Sequence, residues 1–414
     1  ATQEKKLGRE LSRAERKQFA LTTDQLEQMR AQARYSVACA VVSQVAQKLG
    51  EPLALDPKKF DRAYKASPYV PYPILQNLND AQVARFEESF TNNVGVELDL
   101  QSVRNYPLNT TATHLLGYVI SSDESISGED AYFDYRLQDY KGVVGVEGGF
   151  DKYLHGRAGV ESVLINNLGY RQTGNFLEQP ESGNDVVLTI DLDIQRAAEQ
   201  AIASRYGQNA RAAVIVMDVR NGDVLAMVSS PAVDPNDIAQ NTFTPTDWQR
   251  YTDTNLTVQL NRATQGGRHP LIPGSIFKPV VGLAALENGL NPREIYHVEP
   301  NPRNPAHGHI MVGARLIDDP AGIPGDYDLR RAIVRSSNSY FIYIGLKYAG
   351  IENVVRLGEK FHLGEREKLP TFQDSPGHFP TPERIHQSDW RDGDSANIFF
   401  GQGEVNVTPI QIAC

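Results

Sequence analysis

The stretch that most constrains this chain is Leu271–Gly289, LIPGSIFKPVVGLAALENG. Pro273–Gly274 bends the backbone. The spacing of Ile276, Phe277, Val280, Val281, Leu283, Ala284 and Leu286 then predicts a helix from about Ser275 that stops at Gly289, a favourable C′ residue. Its apolar side chains run almost all the way round, which predicts a buried rather than a half-exposed helix. Two polar residues stand at its start, Ser275 in the first turn and Lys278 three positions on. The i, i+3 spacing puts Ser275 Oγ and Lys278 Nζ on one face. Pro279 has no N–H, so the Ser275 carbonyl is expected to lose its usual helical partner. A lysine withdrawn from water loses basicity and becomes a candidate base for a serine nucleophile. Yet a Ser-x-x-Lys pair arises roughly once by chance in a chain of this size, most often as a cap and a solvated lysine. The remaining sequence has to support it.

With 414 residues there is room for two or three domains and a sizeable core. Charged residues make up 22% and hydrophobic residues 40%, the balance of an ordinary globular protein. A net charge of -10 leaves no basic excess to neutralise phosphates, which argues against nucleic acid as the main partner. No apolar run approaches the roughly 18 residues of a membrane-spanning helix. The polar N-terminus, ATQEKKLGRELSRAERK, shows no signal peptide and reads as an internal start. Cys39 and Cys414 have no metal-site spacing, and nothing in the sequence supports a disulfide between them.

Along the chain, residues 1–50 read as helical, with a Thr22/Gln25 capping box and Gly50 at the end. Asp56–Pro57 opens a short helix to about Ala66, and Asn79–Asp80 opens another. VGVELDLQSVRNYP (94–107) alternates and reads as a strand. A short helix is expected at about Val146–Leu154, between glycines. RQTGNFLEQPESGND (171–185) reads as a polar connector, which places the domain boundary so that 1–182 and 183–414 form two domains. DVVLTI then reads as a strand, followed by a helix capped by Asp191 or Asp193. AAVIVMDV and DVLAMVSS flank Arg220–Asn221–Gly222, a strong hairpin signature. The continuous apolar run Val214–Met217 predicts a central strand buried on both faces. Residues 231–270 read as loop, and 291–327 as a polar, proline-rich stretch. Helical patterns lie either side of Ser336–Asn338, and Thr408–Pro409 opens a last helix.

Three motifs stand in order: PGSIFKP with Ser275 and Lys278, RSSNSYF with Ser336 and Asn338, and GQGEVNVTPIQ near the end. Together they resemble the active-site serine family of penicillin-binding proteins and β-lactamases, a motif set already known as such and matched rather than derived. MDVRNGDVLAMVSSP resembles the first two strands of the family's transpeptidase domain. RNYPLNTTATHLLGYV (104–119), GVEGGFDKYLHGRAG (145–159) and NNLGYR (166–171) resemble the pedestal of class B penicillin-binding proteins, nearest the elongation-specific penicillin-binding protein 2 type. A second Ser-x-Asn, Ser395–Asn397, competes with Ser336–Asn338. The apolar run Tyr340–Ile344 favours the latter, because it would anchor that corner against the core. Gly401, Gln402 and Gly403 are expected to serve a turn and close packing. Arg104 and Tyr106–Pro107 are read as structural, and His307 and His309 as loop histidines in solvent.

The resemblance implies an α+β fold, a pedestal (dimerisation-like) domain followed by a penicillin-binding transpeptidase domain with an antiparallel sheet flanked by helices, C-terminally truncated. The family's membrane helix and its Lys-Thr-Gly or Lys-Ser-Gly motif are not in this sequence, so poor acylation by this chain alone is expected. It further implies a peptidoglycan D,D-transpeptidase in which Ser275 attacks D-Ala-D-Ala stem peptides and Lys278 takes the proton. Ser336 would relay the proton, and Asn338 would bond the substrate amide or Lys278. β-Lactams would trap the acyl-enzyme. No metal or organic cofactor is implied; a zinc site known in some relatives needs Asp/Cys ligands not evident here. Implied partners are a polytopic glycosyltransferase and an elongation scaffold protein, at the bacterial cytoplasmic membrane with the catalytic domain outside it. Alternatives are a D,D-carboxypeptidase, a serine β-lactamase or β-lactam sensor, and a non-catalytic cell-wall scaffold.

Overall fold

The structure, a computed structural model, describes residues 21–66, 71–76, 78–90, 95–99, 103–122, 139–165, 171–266, 271–371 and 373–414. Residues 1–20, most of NNLGYR and part of the 94–107 segment lie outside the described residues. Packing gathers the chain into two compact units, Ala1–Ser102 with Asp123–Leu137 and Ala158–Pro180, and Val103–Ser122 with Gln138–Arg157 and Glu181–Cys414. A single cut at 182/183 differs from this partition, because residues 103–122 and 138–157 bond to the second unit. Asn236 exchanges hydrogen bonds with the Tyr106 backbone at 2.9 Å, and the Ala112 N–H donates to Glu199 Oε1 at 2.9 Å.

In the first unit, helix α1 (Thr23–Leu49) begins at the expected capping box. The Gln25 N–H donates to Thr22 Oγ1 at 3.2 Å and the Thr22 N–H to Gln25 Oε1 at 3.0 Å. It ends at Gly50, whose φ of 74° suits a residue without Cβ. Helices α2 (Pro57–Ala66) and α3 (Asp80–Ser89) start at Asp56 and Asn79, as their caps predict. Val45, Leu49 and Phe90 form the small core of this unit. Two expectations fail. Residues 95–99 belong to no strand, since alternation marks an extended segment but does not supply a ladder partner. The "connector" is the second half of a hairpin: strands are numbered along the chain, and β3 (Val160–Ile165) pairs antiparallel with β4 (Arg171–Glu178). Residues 174–178 are exposed, so the strand carries no hydrophobic alternation to read.

The second unit contains α4 (Thr113–Leu116), the pair β1 (Tyr118–Ser122) and β2 (Asp139–Val144), and the short helices α5 (Gly145–Gly149) and α6 (Asp151–Leu154). The helix expected over 146–154 is thus interrupted at Phe150. Segment 185–190 runs extended without joining a ladder. Val186, Leu188 and Ile190 face a core cluster while Val187 is 93% exposed. Asp191, not Asp193, caps α7 (Leu192–Tyr206). The hairpin of β5 (Ala212–Met217) and β6 (Val224–Ser230) forms as Asn221–Gly222 predicts. It is not central: β5 is half-buried throughout and has one strand partner among the described residues. Its apolar run reflects apolar neighbours, Met227 and Ile410 among them, rather than a place inside a wide sheet. Gln195, fully buried on α7, grips β6 by accepting from the Met227 N–H at 2.8 Å and donating to the Met227 carbonyl at 3.2 Å.

The region read as loop holds α8 (Pro235–Gln240), α9 (Pro245–Thr252) and α10 (Arg262–Gln265). Asp234–Pro235 and Thr244–Pro245 carry the same cap-then-proline signal as Asp56–Pro57. The "proline-rich stretch" is a sheet. Strands β7 (Tyr296–Asn301), β8 (Asn304–Val312), β9 (Arg315–Asp319) and β10 (Gly325–Tyr327) pair antiparallel in the order β10-β7-β8-β9. Helix α11 (Lys278–Glu287) and a π-helical turn, Gly345–Ala349, pack on α13 (Asn338–Ile344), which with α12 (Leu329–Arg335) lies against the sheet. Helices α14 (Ile351–Lys360), α15 (Pro382–Ile385), α16 (Asp392–Ile398) and α17 (Pro409–Ala413) complete the unit. Both cysteines are free thiols.

Helix α11 is not buried all round. Val281, Gly282, Ala284 and Ala285 face the core, whereas Ile276, Leu283 and Leu286 are exposed. Small residues let this face approach Phe341, whose ring lies 3.5 Å from where a Gly282 Cβ would stand, and leave the bulky ones on the far side. An all-apolar circumference reports no preferred side, so pattern alone could not reveal this. Phe341→Ala is expected to destabilise the unit by about 3–5 kcal/mol through a core cavity. The readout is a lower midpoint of its denaturant transition, with exposed Val334→Ala within about 0.5 kcal/mol of wild type.

Candidate active site

Ser275 lies in a 3₁₀ turn, Gly274–Phe277, that runs directly into α11. Its carbonyl does not lose its partner. Pro279 cannot donate, so the chain tightens and the Lys278 N–H donates to the Ser275 carbonyl instead. Ser275 is exposed and Lys278 is 3% exposed. The turn is held from outside by the Gly-rich segment. The Gly274 N–H donates to the Gly401 carbonyl at 2.8 Å, and the Val407 N–H to the Leu271 carbonyl at 2.9 Å. Gly401 has φ 78°, and a Cβ there would stand 1.9 Å from the Gly274 oxygen. Only glycine meets both conditions.

Lys278 Nζ donates to Ser336 Oγ at 3.0 Å and to the Ser336 carbonyl at 2.5 Å. Both acceptors sit on a sharp corner between α12 and α13. The Ser336 N–H donates to the Ile333 carbonyl and the Ser337 N–H to the Ala332 carbonyl, the paired bonds of a Schellman end. Such an end needs a left-handed residue, usually glycine; here it is Ser336 with φ 54°. The serine thereby puts a hydroxyl at the corner. Ser337 caps α13, its Oγ accepting from the Tyr340 N–H at 3.2 Å. The run after it anchors the corner as expected, with Tyr340, Phe341, Ile342 and Ile344 at most 1% exposed.

Burial lowers the Lys278 pKa to about 8, while the nearby charge of Asp319 pulls it upward. Asp319 was not singled out in the sequence, where Asp318–Asp319–Pro320 resembles any turn. It is fully buried at the end of β9, and its Oδ2 accepts from Ser337 Oγ at 2.6 Å and from the Ser339 N–H at 2.8 Å. Its Oδ1 accepts from the Gly322 N–H at 3.0 Å.

The structure thus brings Lys278 and Ser336 together, one turn from Ser275. Asn338 opens α13, and no hydrogen bond joins it to Lys278 among the described residues. Ser395 is buried in α16 and accepts from Trp390 Nε1 at 2.9 Å, away from the Lys278 contacts. His307 and His309 stand half-buried on strand β8 rather than in a solvent loop. His307 faces Asp318 at 3.3 Å and His309 the Glu299 carbonyl at 3.2 Å. No group of three His, Cys, Asp or Glu side chains that could hold a metal ion assembles among the described residues. Arg104 bonds Glu147 at 2.5 Å, and the Tyr106 hydroxyl accepts from the Val119 N–H at 3.1 Å, contacts that brace the fold.

Two family descriptions match the chain, and the second spans the serine turn, the buried amine and the second serine. "Penicillin-binding Protein dimerisation domain" fits residues 14–188, and "Penicillin binding protein transpeptidase domain" fits residues 212–414. The chain belongs to the penicillin-binding proteins. It is 30% identical over 352 residues to the peptidoglycan D,D-transpeptidase MrdA of Escherichia coli (strain K12), covering 82% of this chain and 53% of that protein. This penicillin-binding protein therefore spans about half the length of the curated relatives it matches. The crystal structure of Pseudomonas aeruginosa PBP2 in complex with WCK 5153 aligns with a TM-score of 0.58 at 27% identity, over 77% of this chain and 65% of that one. A chain of a peptidoglycan synthase complex, described as coordinating polymerization and crosslinking, aligns with a TM-score of 0.64 at 26% identity, over 87% and 63%.

Two outcomes are expected. Lys278, followed by ¹³C NMR at its Cε, titrates with a midpoint of about 8 rather than 10.5, so its amine is mostly neutral above that pH. Gly401→Ala loses about 1–2 kcal/mol from the left-handed backbone alone, plus the clash with Gly274, read as a lower thermal midpoint.

Proposed function

We propose that this protein is a serine-type peptidoglycan D,D-transpeptidase that cross-links stem peptides through an acyl-enzyme on Ser275 during cell-wall elongation. The observation that carries this reading is the buried Lys278 amine bonded to both oxygens of Ser336, on the turn that follows exposed Ser275. A neutral amine has two N–H bonds and one lone pair. The two N–H bonds are spent on Ser336, which leaves the lone pair for the Ser275 proton. With a pKa of about 8, roughly a tenth of the lysine is neutral at pH 7, enough for a general base.

Ser275 Oγ attacks the carbonyl between two terminal D-alanines while its proton passes to Lys278 Nζ. The Ser275 N–H, at the start of the turn, faces the oxyanion that develops. The C–N bond breaks, and the proton travels from Lys278 through the Ser336 hydroxyl to the departing amine of D-Ala. An amine from a neighbouring stem peptide then attacks the ester, returns a proton along the same path and restores Ser275. Asn338, on the same corner as Ser336, holds the substrate amide in this reading. A β-lactam follows the first half and stays as the acyl-enzyme. By its resemblance to the elongation-specific class B type, the protein works at the cytoplasmic membrane with its catalytic domain on the outer side. Its partners there are a polytopic glycosyltransferase and an elongation scaffold protein.

Ser275→Ala is expected to abolish covalent labelling of the full-length protein by a fluorescent penicillin while leaving its circular dichroism unchanged. Unchanged labelling would mean a different nucleophile or a non-catalytic scaffold. In the wild type the labelling rate should rise with pH through about 8, because the base must be neutral to accept the proton.

A further inference from the structure

The mechanism above uses no carboxylate, yet one lies buried behind its two central groups. Asp319 is 0% exposed, and a carboxylate withdrawn from water is costly unless its lone pairs are met. Three donors meet them: the Ser337 hydroxyl, the Ser339 N–H and the Gly322 N–H. Gly322 is shaped for this, since a Cβ there would stand 2.3 Å from Asp319 Oδ2. Two of the donors directly follow the Ser336 corner, one at the cap of α13 and one in its first turn. The carboxylate therefore ties the corner to the end of β9.

The corner needs such a tie. Ser336 holds a left-handed conformation that a non-glycine residue adopts at a cost of about 1–2 kcal/mol. Its carbonyl and hydroxyl must both point at Lys278. When Lys278 takes a proton it becomes a cation in a buried site, 5.8 Å from the Phe341 ring centre. Other charges on the neighbouring elements are engaged elsewhere or face outward. Asp318 bonds Asn301 and His307, and Arg331 bonds the Asp326 carbonyl and lies over the Tyr327 ring. Asp328 caps α12, and Arg335 is exposed. Asp319 is the charge that acts on Lys278, and it favours the protonated form.

We propose that Asp319 is a positioning residue for acyl transfer: its buried carboxylate locks the Ser336 corner against Lys278 and supplies the counter-charge for the lysine once it has taken the Ser275 proton. This rests on the assignment of Ser275 and Lys278 given above. Removing the charge while keeping the shape should lower the affinity of Lys278 for its proton. The limb on which acylation rises with pH should then move to lower pH, while the plateau rate falls because the protonated lysine is less supported. A residue with a merely structural role would lower the rate equally at every pH.

The test is the ¹³C titration of Lys278 and the pH profile of penicillin acylation in the full-length protein, for wild type, Asp319→Asn and Asp318→Asn. In Asp319→Asn the Lys278 midpoint should fall by about one pH unit, with the acylation limb moving the same way; Asp318→Asn should leave both in place. An unmoved midpoint in a folded Asp319→Asn overturns the proposal. The titration needs no turnover, so it is judged apart from the Ser275 reading, which fails only if Ser275→Ala is still labelled. Should Asp319→Asn not fold, Ser337→Ala removes one hydrogen bond to the carboxylate and keeps its charge. The acylation rate should then fall about tenfold or more, and Ser337→Thr, which restores a hydroxyl to the carboxylate, should bring it back; an unchanged rate in Ser337→Ala, or no recovery in a folded Ser337→Thr, overturns the proposal.

Discussion

Lys278 is an amine kept from water by the protein and given back two oxygens by a single residue, Ser336. Burial alone would make the ammonium costly, and the two hydrogen bonds make the site habitable without restoring bulk solvation. That balance leaves a lysine of reduced basicity one turn from an exposed serine. It requires α11 to reach the core, the α12–α13 corner to point inward, and the 3₁₀ turn to stay in register with both.

Each of these demands is met by a backbone feature rather than by more side-chain chemistry. Pro279 tightens the helix start so that the Ser275 carbonyl is satisfied by Lys278. Gly401 lets one carbonyl approach Gly274 where any side chain would collide. Ser336 accepts the left-handed conformation that ends α12. Behind the corner, the apolar run from Tyr340 to Ile344 fills the core beside the sheet, so a tilt of α13 would disturb close packing. The corner is thereby held by the core it adjoins. This suits a reaction in which proton donor and acceptor stay in fixed positions.

The sequence foretold elements whose signals are local. The capping box at Thr22/Gln25 and the starts at Asn79–Asp80 and Thr408–Pro409 each opened a helix, and Asn221–Gly222 turned a hairpin. It misled where the signal was absent or double-valued. Residues 174–178 of β4 are exposed and carry no alternation. The four-stranded sheet hides in a stretch of Pro, Gly and His, because several of its buried positions, Asn301, Gly308 and Asp319 among them, are not hydrophobic residues. Helices α8 and α9 were legible from their cap-and-proline starts but were submerged in the polarity around them.

By itself the sequence marked the candidate residues: a serine and a lysine three positions apart at a helix start, and a serine-asparagine corner followed by an apolar anchor. These depend on short-range spacing, which covalent geometry fixes. Only the tertiary structure decided that Lys278 bonds Ser336 rather than Asn338, that Ser395 is engaged elsewhere, and that Asp319 lies behind the corner. Those facts join segments that meet only when the sheet, α11 and the α12–α13 corner pack together. Burial, which sets the charge of Lys278, is a property of that packing and is written in no single stretch of the chain.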